Sequence, residues 1–215
     1  MFTPDLGTVV IVEDDAALRT QLVRLISLSG FQVESYGEAE GLLASDVWAR
    51  AGCLVLDFQL PGLDGLGLQE LLNRRSGHIP IVFVSGHADV RKSVRAMKHG
   101  AVDFLVKPVD ADELLRAIGQ GFERRDRALR DEAAEEELRR RYSTLTPREG
   151  DVFALVVSGR LNKQVARELG ITEKTVKVHR ARVMAKMAAR SLAQLVLYSV
   201  RIQSRIDPFG RLLSE

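Results

Sequence analysis

A chain of 215 residues with 46% hydrophobic side chains is long enough for two small domains with packed cores. Its single cysteine, Cys53, excludes a disulfide or a cysteine-based metal site within one chain. The formal net charge is only +2, but residues 146–215 hold 13 Lys and Arg against 6 Asp and Glu. We therefore expect the C-terminal part of the chain to meet a polyanion.

Membrane and export signals are not visible in the sequence. No apolar run approaches the roughly 20 residues that a membrane helix needs. Residues 1–6 lack the basic-then-apolar pattern of a signal peptide. Together with the lone thiol, these features predict a cytoplasmic protein without a membrane partner.

In the first 121 residues, short apolar runs alternate with longer segments of helical period. Five runs are predicted strands: Val9–Val12, Phe31–Ser35, Cys53–Leu56, Ile81–Val84 and Phe104–Val106. Because these runs are apolar throughout rather than alternating, they suit strands covered by helices on both faces. We predict an α/β domain at residues 1–121 with a doubly wound, five-stranded parallel sheet of the (βα)5 type.

The next segment, residues 122–142, contains 14 charged side chains and neither Gly nor Pro. Acid-to-base pairs four residues apart, such as Glu135 with Arg139 and Glu137 with Arg141, favour a helix. A flexible connection is the alternative that composition leaves open. We predict a charged helical linker.

A new helix start follows at Thr146-Pro147-Arg148-Glu149, where Thr can cap, Pro suits the first helical position and Glu can close a capping box. Four segments beyond it have helical period: 147–158, 162–169, 173–187 and 191–203. Gly170 and Thr172 give the second and third segments the tight turn of a helix-turn-helix. We predict an all-α, four-helix domain at residues 143–215.

Polar side chains follow four of the predicted strands at the point where each strand ends. In chain order they are Glu13, Asp14 and Asp15, then Asp57, Ser85 and Lys107. The carboxyl ends of parallel strands meet at one edge of a sheet, which is where such sheets bind ligands. Clustered carboxylates repel one another unless a cation intervenes, and hard oxygen ligands suit Mg²⁺. The sequence therefore predicts a magnesium site at this edge.

These residue types also suit phosphoryl transfer. A carboxylate beside Mg²⁺ can attack a phosphoryl donor and become an acyl phosphate, while Lys107 pairs with the added charge and Ser85 donates a hydrogen bond. Taken singly, each residue has an ordinary interpretation, since Asp14 or Asp15 could cap the following helix. Lys107 and Ser85 could likewise be loop residues. Only the joint pattern predicts the chemistry.

Residues 8–121 resemble the receiver domain of two-component response regulators. The resemblance lies in Val12-Glu13-Asp14-Asp15, Leu56-Asp57-Phe58-Gln59-Leu60-Pro61-Gly62, Val84-Ser85-Gly86-His87 and Phe104-Leu105-Val106-Lys107-Pro108. It implies that Asp57 is the phosphoacceptor and that Glu13 and Asp14 supply the acidic pocket, with Asp15 replacing one of them if the register shifts. It also implies that the backbone carbonyl of Gln59 completes the protein's metal ligands.

The same resemblance implies a signalling route. Ser85 and Phe104 would form the switch, the Lys107-Pro108 peptide would be cis, and the partner surface would lie at about residues 88–106. Two positions depart from the family pattern, Leu60 and Gln59. Gln59 also argues against an enzyme of the haloacid dehalogenase type, which requires a second acid at that place.

The third C-terminal helix is predicted to bury Val176, Val183 and Met187. Its opposite side would then expose a set of basic and small residues: Lys174, Lys177, Val178, Ala181 and Arg182. Such a face fits the major groove of DNA, because small residues permit close approach and lysines reach phosphates or guanine edges. A solvated helix with chance charge is the alternative. Lys163, Arg167 and Arg190 are weaker candidates for phosphate contacts.

Residues 143–205 resemble the LuxR-type output domain through Leu145-Thr146-Pro147-Arg148-Glu149, Gly159, Asn162-Lys163 and Thr175-Val176-Lys177-Val178-His179. With the receiver, the chain resembles the NarL/FixJ family, and residues 86–90 favour its FixJ-like branch. The resemblance implies base contacts at Lys177, Val178 and Ala181. It also implies dimerisation through the last helix, at Leu192, Leu195, Val196 and Ser199, although that stripe could instead close the helical core.

The combined expectation is a transcription factor whose DNA binding and dimerisation are controlled by phosphorylation of Asp57. The expected partners are a histidine kinase, promoter DNA and a second copy of the chain, with RNA polymerase as a further candidate. Its only catalysis would be its own phosphorylation and dephosphorylation. The alternatives are an aspartyl-phosphate phosphatase and a phosphorylation-independent DNA-binding regulator.

Overall fold

The computed structural model describes residues 7–76, 79–86 and 89–203. Two compact units divide between Ala128 and Leu129, inside the predicted linker. The N-terminal unit contains a parallel sheet of five strands in the order β2-β1-β3-β4-β5. The strands are β1 (Thr8–Val12), β2 (Gln32–Tyr36), β3 (Cys53–Asp57), β4 (Ile81–Ser85) and β5 (Asp103–Val106). Each lies within one residue of a predicted run, so the strand predictions are confirmed.

Helices cover both faces of this sheet, and two hydrophobic clusters pack on its opposite sides. The helices are α1 (Ala16–Leu28), α2 (Ala39–Leu43), α3 (Val47–Arg50), α4 (Gly65–Ser76), α5 (Val90–Lys98) and the first part of α6 (Ala111–Ser143). Alternate residues of β3 enter different clusters: Leu54 and Leu56 face one, and Cys53 and Val55 face the other. The predicted doubly wound architecture is confirmed.

The two edge strands, β2 and β5, depart from the expectation that every strand is covered on both faces. Strand β2 pairs only with β1 and exposes Gln32 and Ser35, and β5 pairs only with β4 and exposes Val106. The expectation is wrong for these two strands because an apolar run does not show whether a strand lies at the edge of the sheet, and only the central strands have neighbours on both sides. Strands β3 and β4, by contrast, are buried along their whole length.

The register of the sheet sets the positions of the strand ends. Asp57 pairs with Val84, and Ser85 pairs with Val106. Backbone hydrogen bonds continue the ladder past the strands, from Lys107 N to Ser85 O at 2.8 Å. Loops that carry polar side chains therefore leave the sheet along one edge.

The charged segment 122–142 lies wholly inside helix α6, as predicted. Ion pairs support it, with Arg139 3.5 Å from Glu135 and Arg141 2.7 Å from Glu137. Its first residues are attached to the N-terminal unit: the Phe122 ring stacks on Phe31 at 5.3 Å. The linker helix therefore begins as part of the packed N-terminal unit and is not a free spacer at that end.

Two arginines of α6 strengthen this attachment. Arg124 donates to the carbonyl oxygen of Ala101 at 3.1 Å, and Arg125 donates to that of Ala49 at 2.6 Å. The ring of Phe122 also lies so close to Gly52 that a Cβ there would overlap it. Glycine at position 52 is thus needed for the close approach of this helix.

The C-terminal unit is helical and contains α7 (Pro147–Val157), α8 (Asn162–Leu169), α9 (Glu173–Lys186) and α10 (Leu192–Gln203). The predicted capping box of Thr146 and Glu149 is present. Gly170 ends α8 with φ +66°, and Thr172 caps α9 by accepting from Thr175 N at 3.2 Å. The predicted helix-turn-helix is confirmed.

The end of α6 belongs to the core of this second unit. Leu138 is buried there, and the Tyr142 ring meets Phe153 edge to face at 5.3 Å. The predicted four-helix domain is therefore completed by a fifth helical segment. In the described part of the chain, no helix combines the length and apolar character that a membrane crossing requires.

Candidate functional site

Three carboxylates converge at the predicted edge of the sheet. Glu13, Asp14 and Asp57 each offer an oxygen within 4.8 Å of the others. The side chains of Glu13 and Asp57 are 2% and 5% exposed, whereas Asp14 is exposed. Nζ of Lys107 lies 2.7 Å from Asp57 Oδ2 and 2.9 Å from Glu13 Oε1. The structure thus brings together residues from three strand ends that the sequence predicted.

The charges in this cluster are not balanced. Burial raises the pKa of Glu13 to about 7, and the neighbouring Asp57 adds to this effect while the hydrogen bond from Lys107 opposes it. Burial opposes the charged form of Lys107, but its hydrogen bonds with Asp57 and Glu13 outweigh burial and raise its pKa. One ammonium group therefore contacts two buried carboxylates, those of Glu13 and Asp57, while the exposed Asp14 adds a third acid nearby.

This arrangement fits a hard divalent cation. The Oε2 atom of Glu13 is buried and lies 2.8 Å from Nζ of Lys107, yet it accepts no aligned hydrogen bond within the described residues. A buried carboxylate oxygen beside two further carboxylates is the kind of donor set that Mg²⁺ prefers. Gln59, whose carbonyl was the fourth predicted ligand, donates its backbone N–H to Asp57 Oδ1 at 2.8 Å. Its role as a ligand stays a prediction.

Asp15 has a different role from the other acids of the loop. Its side chain caps α1 by accepting from Ala17 N at 2.8 Å and Leu18 N at 3.1 Å. These two hydrogen bonds lower the pKa of Asp15. The capping interpretation therefore applies to Asp15, while Asp14 joins the acidic cluster.

The two predicted switch residues lie on neighbouring strands. Ser85 is buried at the end of β4 and lines a cavity of about 240 Å³ together with Phe58, Gln59, Asp89 and Lys92. The ring of Phe104 is half-buried and lies 5.6 Å from the ring of Phe58 and 6.2 Å from that of Phe83. The Lys107-Pro108 peptide is cis, as the resemblance implied.

The predicted partner surface at residues 88–106 begins outside the described residues, because 87 and 88 are not among them. Within the described part, helix α5 and strand β5 expose a group of large apolar side chains: Val90, Val94, Met97 and Val106. Arg91, Lys92 and Arg95 are also exposed on α5. The surface is thus apolar as well as basic.

Sequence reasoning missed Arg19. Its Nη1 atom donates to the carbonyl oxygen of Glu13 at 2.5 Å and to that of Asp14 at 3.3 Å. A single arginine on an amphipathic helix follows no recognisable motif, so only its distance of one to two turns from the acidic loop could have drawn attention to it.

The second candidate site is the exposed face of α9. Val176, Val183 and Met187 are buried, as predicted. All five predicted DNA-contacting residues are exposed, with Val178 46% exposed: Lys174, Lys177, Val178, Ala181 and Arg182. Lys163, Arg167 and Arg190 are exposed as well. The face is therefore available to a ligand, and its contacts with DNA stay a prediction.

Polar contacts hold α9 in place. Arg180 donates to Asn162 Oδ1 at 3.1 Å, which ties α9 to the start of α8. Lys186 donates to Glu149 Oε2 at 2.6 Å and to the carbonyl oxygen of Thr144 at 2.8 Å. The hydrogen bond from Lys186, followed by that from the backbone of Thr146, lowers the pKa of Glu149 to about 2.

The predicted dimerisation stripe on α10 is partly wrong. Leu195 and Ser199 are buried in the core of their own unit, because they lie with Ile202 on the inward face of the helix. Val196 is half-buried and Leu192 is exposed. The exposed apolar residues of this helix are instead Leu192, Leu197 (64%) and Val200 (60%).

Comparison with known proteins gives the same two-part division. The family model of the response regulator receiver domain matches residues 9–119, and that of bacterial regulatory proteins of the luxR family matches residues 143–199. Nodulation protein W of Bradyrhizobium diazoefficiens is 47% identical over 191 residues, covering 89% of this chain and 84% of that protein. Transcriptional regulatory protein FixJ of the same species is 38% identical over 195 residues, covering 91% of this chain and 95% of that protein.

Solved structures agree with these matches. Response regulator StyR is 42% identical, with a TM-score of 0.75, and the match covers 90% of this chain and 98% of that one. Full-length FixJ from B. japonicum is 37% identical, with a TM-score of 0.57 and coverage of 93% and 98%. Both matches extend over the two units of the chain.

Proposed function

The chain belongs to the NarL/FixJ family of two-component response regulators, in its FixJ-like branch, and on that premise we propose that phosphorylation of Asp57 by a histidine kinase controls its binding to promoter DNA. The observation that supports this most strongly is the convergence of Asp57, Glu13, Asp14 and Lys107 at one sheet edge. Asp57 is itself the last residue of a central strand, and its Oδ1 accepts from Gln59 N while its Oδ2 accepts from Lys107 Nζ.

Glu13, Asp14, Asp57 and the carbonyl of Gln59 would hold Mg²⁺, which when bound neutralises negative charge on a transferring phosphoryl group. The carboxylate of Asp57 forms a bond to phosphorus as the phosphorus–nitrogen bond of the kinase's phosphohistidine breaks, and the electron pair stays on the histidine nitrogen. Lys107 exchanges its contact with Asp57 for the new phosphoryl oxygens. Ser85 donates a hydrogen bond to the same group.

The switch follows from the position of Ser85. When its hydroxyl turns to the phosphoryl group, the space that it leaves lets Phe104 move further inward. This movement favours one of two alternative packings of α5 and β5 over the other. The apolar surface of Val90, Val94, Met97 and Val106 is then suited to a second copy of the receiver. Dimerisation of the receivers raises the effective concentration of two DNA-binding units.

The DNA-binding units place α9 in the major groove, with Lys177, Val178 and Ala181 toward the base edges and Lys174 and Arg182 toward phosphates. Leu192, Leu197 and Val200 on α10 are the surface for contact between two such units on adjacent half-sites. RNA polymerase is a further candidate partner at a promoter. Because its DNA target lies there, the protein works in the bacterial cytoplasm.

The protein is a regulator and not an enzyme, apart from its own phosphorylation and dephosphorylation. To test this, the native chain is incubated with acetyl phosphate and Mg²⁺, and phosphoryl incorporation is followed by intact mass. We expect one phosphoryl group per chain, none in Asp57→Asn, and native behaviour in Asp46→Asn, which alters an exposed acid of the same unit. Continuous turnover of a phosphomonoester that Asp57→Asn abolishes would instead favour an aspartyl-phosphate phosphatase.

The third possibility is a regulator that ignores phosphorylation and uses the receiver only to dimerise. The gathering of three carboxylates around one lysine argues against it, because the mutual repulsion of these acids would only cost stability in a purely structural site. Promoter activation by Asp57→Asn at the native level would establish this third function and overturn the proposal.

A further inference from the structure

We propose that Arg19 is a positioning residue for the acidic loop: its guanidinium group holds the main chain at Glu13 and Asp14 so that both carboxylates point toward Asp57. The inference rests on the function proposed above, which assigns these carboxylates to a divalent cation. It adds a residue that touches neither the cation nor the phosphoryl group. Arg19 acts through the peptide groups of the two ligands.

The contacts of Arg19 lie on the backbone side of the loop. Nη1 donates to Glu13 O at 2.5 Å and to Asp14 O at 3.3 Å. The backbone N–H of the same residue, Glu13, donates to Tyr36 O at 3.1 Å. The main chain at Glu13 is thus held by both its donor and its acceptor, which fixes the direction in which the side chain leaves it.

The loop needs such a restraint because its side chains repel one another. Glu13, Asp14 and Asp57 offer oxygens within 4.8 Å of each other, and like charges at that distance favour movement of the loop away from Asp57. Asp15 anchors the end of the loop by capping α1. Between that cap and strand β1, Arg19 binds both of the peptide carbonyls that flank the two ligand side chains.

Arg19 differs from Lys107 because it leaves the carboxylate oxygens available to a cation. Lys107 occupies an oxygen of Glu13 and one of Asp57, so it competes with a cation for the same atoms. The hydrogen bonds of Arg19 within the described residues go to carbonyl oxygens, so its positive charge offsets repulsion in the loop without covering a carboxylate of Glu13, Asp14 or Asp57. The two cations therefore have complementary roles.

Gly37 sets the space in which the guanidinium group lies. A Cβ at this position, directly after β2, would lie 3.3 Å from Nη1 and 3.7 Å from Cζ of Arg19. That spacing is tight enough to displace the guanidinium by a few tenths of an ångström. Gly37→Ala is therefore a second way to disturb the restraint without altering any charged residue.

The test is the dissociation constant for Mn²⁺, used as a paramagnetic substitute for Mg²⁺ and measured by electron paramagnetic resonance on the full chain. Loss of an outer partner of a metal ligand typically weakens metal affinity about 10-fold or more, and we expect about 10-fold for Arg19→Met. Arg19→Lys should recover part of this loss, since it keeps the positive charge but not the planar guanidinium group whose Nη1 makes both contacts. Gly37→Ala should show a smaller loss, and Arg24→Met on the same helix should show none.

Thermal unfolding of each variant, followed through Trp48, separates positioning from general stability. The proposal is supported if Mn²⁺ affinity falls in Arg19→Met and Gly37→Ala while Arg24→Met keeps native affinity. It is overturned if Arg19→Met and Gly37→Ala bind Mn²⁺ within two-fold of the native chain, or if affinity falls only in proportion to unfolding. A native chain with no saturable Mn²⁺ binding would overturn the function proposed above, whatever the variants do.

Discussion

Two buried glutamates in this protein, each hydrogen-bonded to a lysine, differ in the direction of their pKa shifts. In the N-terminal unit, burial and the neighbouring Asp57 raise the pKa of Glu13 to about 7 despite Lys107 at 2.9 Å. In the C-terminal unit, Lys186 at 2.6 Å and the backbone of Thr146 lower the pKa of Glu149 to about 2. The same pair of residue types thus accompanies a raised glutamate pKa in one place and a lowered one in the other.

The difference lies in the number of acids that each lysine serves. Lys107 is shared between Glu13 and Asp57, with Asp14 nearby, whereas Lys186 has Glu149 as its acid and the Thr144 carbonyl as a second acceptor. Glu149 also accepts the Thr146 N–H at 2.9 Å. The first arrangement leaves room for an added cation or phosphoryl group, and the second fixes the end of α9 to the start of α7.

Removal of the lysines should separate the two pairs most clearly. Lys186→Met leaves Glu149 buried without a cation, so we expect Tm of the C-terminal unit to fall by about 10 °C or more. Lys107→Met should change Tm of the N-terminal unit much less near pH 6, because Glu13 can take up a proton. Calorimetry gives both values, and fluorescence of Trp48, the single tryptophan, identifies the N-terminal transition. Equal losses in both units would contradict the distinction.

Two lysines of α9 are expected to have different roles, because Lys177 is exposed while Lys186 is bound to Glu149. If Lys177 contacts a guanine edge, Lys177→Ala should weaken DNA binding by about 1–3 kcal/mol. If Lys177 contacts a phosphate, the substitution should reduce the slope of log affinity against log salt concentration by about one. Its Tm should stay native. Fluorescence anisotropy of a labelled duplex at several salt concentrations measures both quantities. Arg74→Ala, an exposed change on α4, is the control, and an equal loss there would argue against α9 as the DNA-contacting helix.

The pKa shifts predict opposite pH dependences for the two units when EDTA is present. Glu149 has a lowered folded-state pKa, so its stabilisation is complete above about pH 4.5 and is lost as the pH falls toward 2. Glu13 has a raised pKa, so the folded state binds its proton more tightly and the N-terminal unit gains stability as the pH falls from about 7 to 4.5. Calorimetry between pH 8 and pH 3 tests both trends. Glu13→Gln should abolish the second trend and leave the first.

The smallest predicted effect concerns the two helix caps. Thr172→Ala removes one accepted N–H at the start of α9 and should cost about 1 kcal/mol. Asp15→Ala removes two accepted N–H groups and a charge at the start of α1, so it should cost more than Thr172→Ala. Urea unfolding of the two variants gives the comparison. A larger loss at Thr172 would show that the capping geometry does not control stability here.

The strands, the helix-turn-helix and the group of Asp57, Glu13 and Lys107 could be predicted from the sequence. The group was predictable because the carboxyl ends of parallel strands lie at one edge of the sheet, whatever the order of the strands. The Lys186 contact could not be predicted, since Glu149 and Lys186 are 37 residues apart and meet only through the packing of α9 on α7. The capping role of Glu149 was local and was therefore predictable. Its partner was not.

Three further features could not be predicted from the sequence, because they too depend on how the elements pack in the folded chain. An apolar pattern predicted the strand at β2 but not its place at the edge of the sheet, which depends on strand order. On α10 the stripe of Leu195 and Ser199 could face either the core or a second copy, and only the packed unit decides. Asp14 and Asp15 are adjacent in sequence, and the geometry of the first turn of α1 determined which one caps.

We expect phosphorylation of Asp57 to control the affinity of α9 for DNA. The most direct measurement is the affinity for a duplex selected from a random pool by the beryllofluoride-treated chain, compared with and without beryllofluoride and Mg²⁺. We predict at least about a 10-fold gain for the native chain, corresponding to about 1.4 kcal/mol of coupling, and no gain for Asp57→Asn. Equal affinity of the native chain in both states, or an equal gain in Asp57→Asn, would contradict the account.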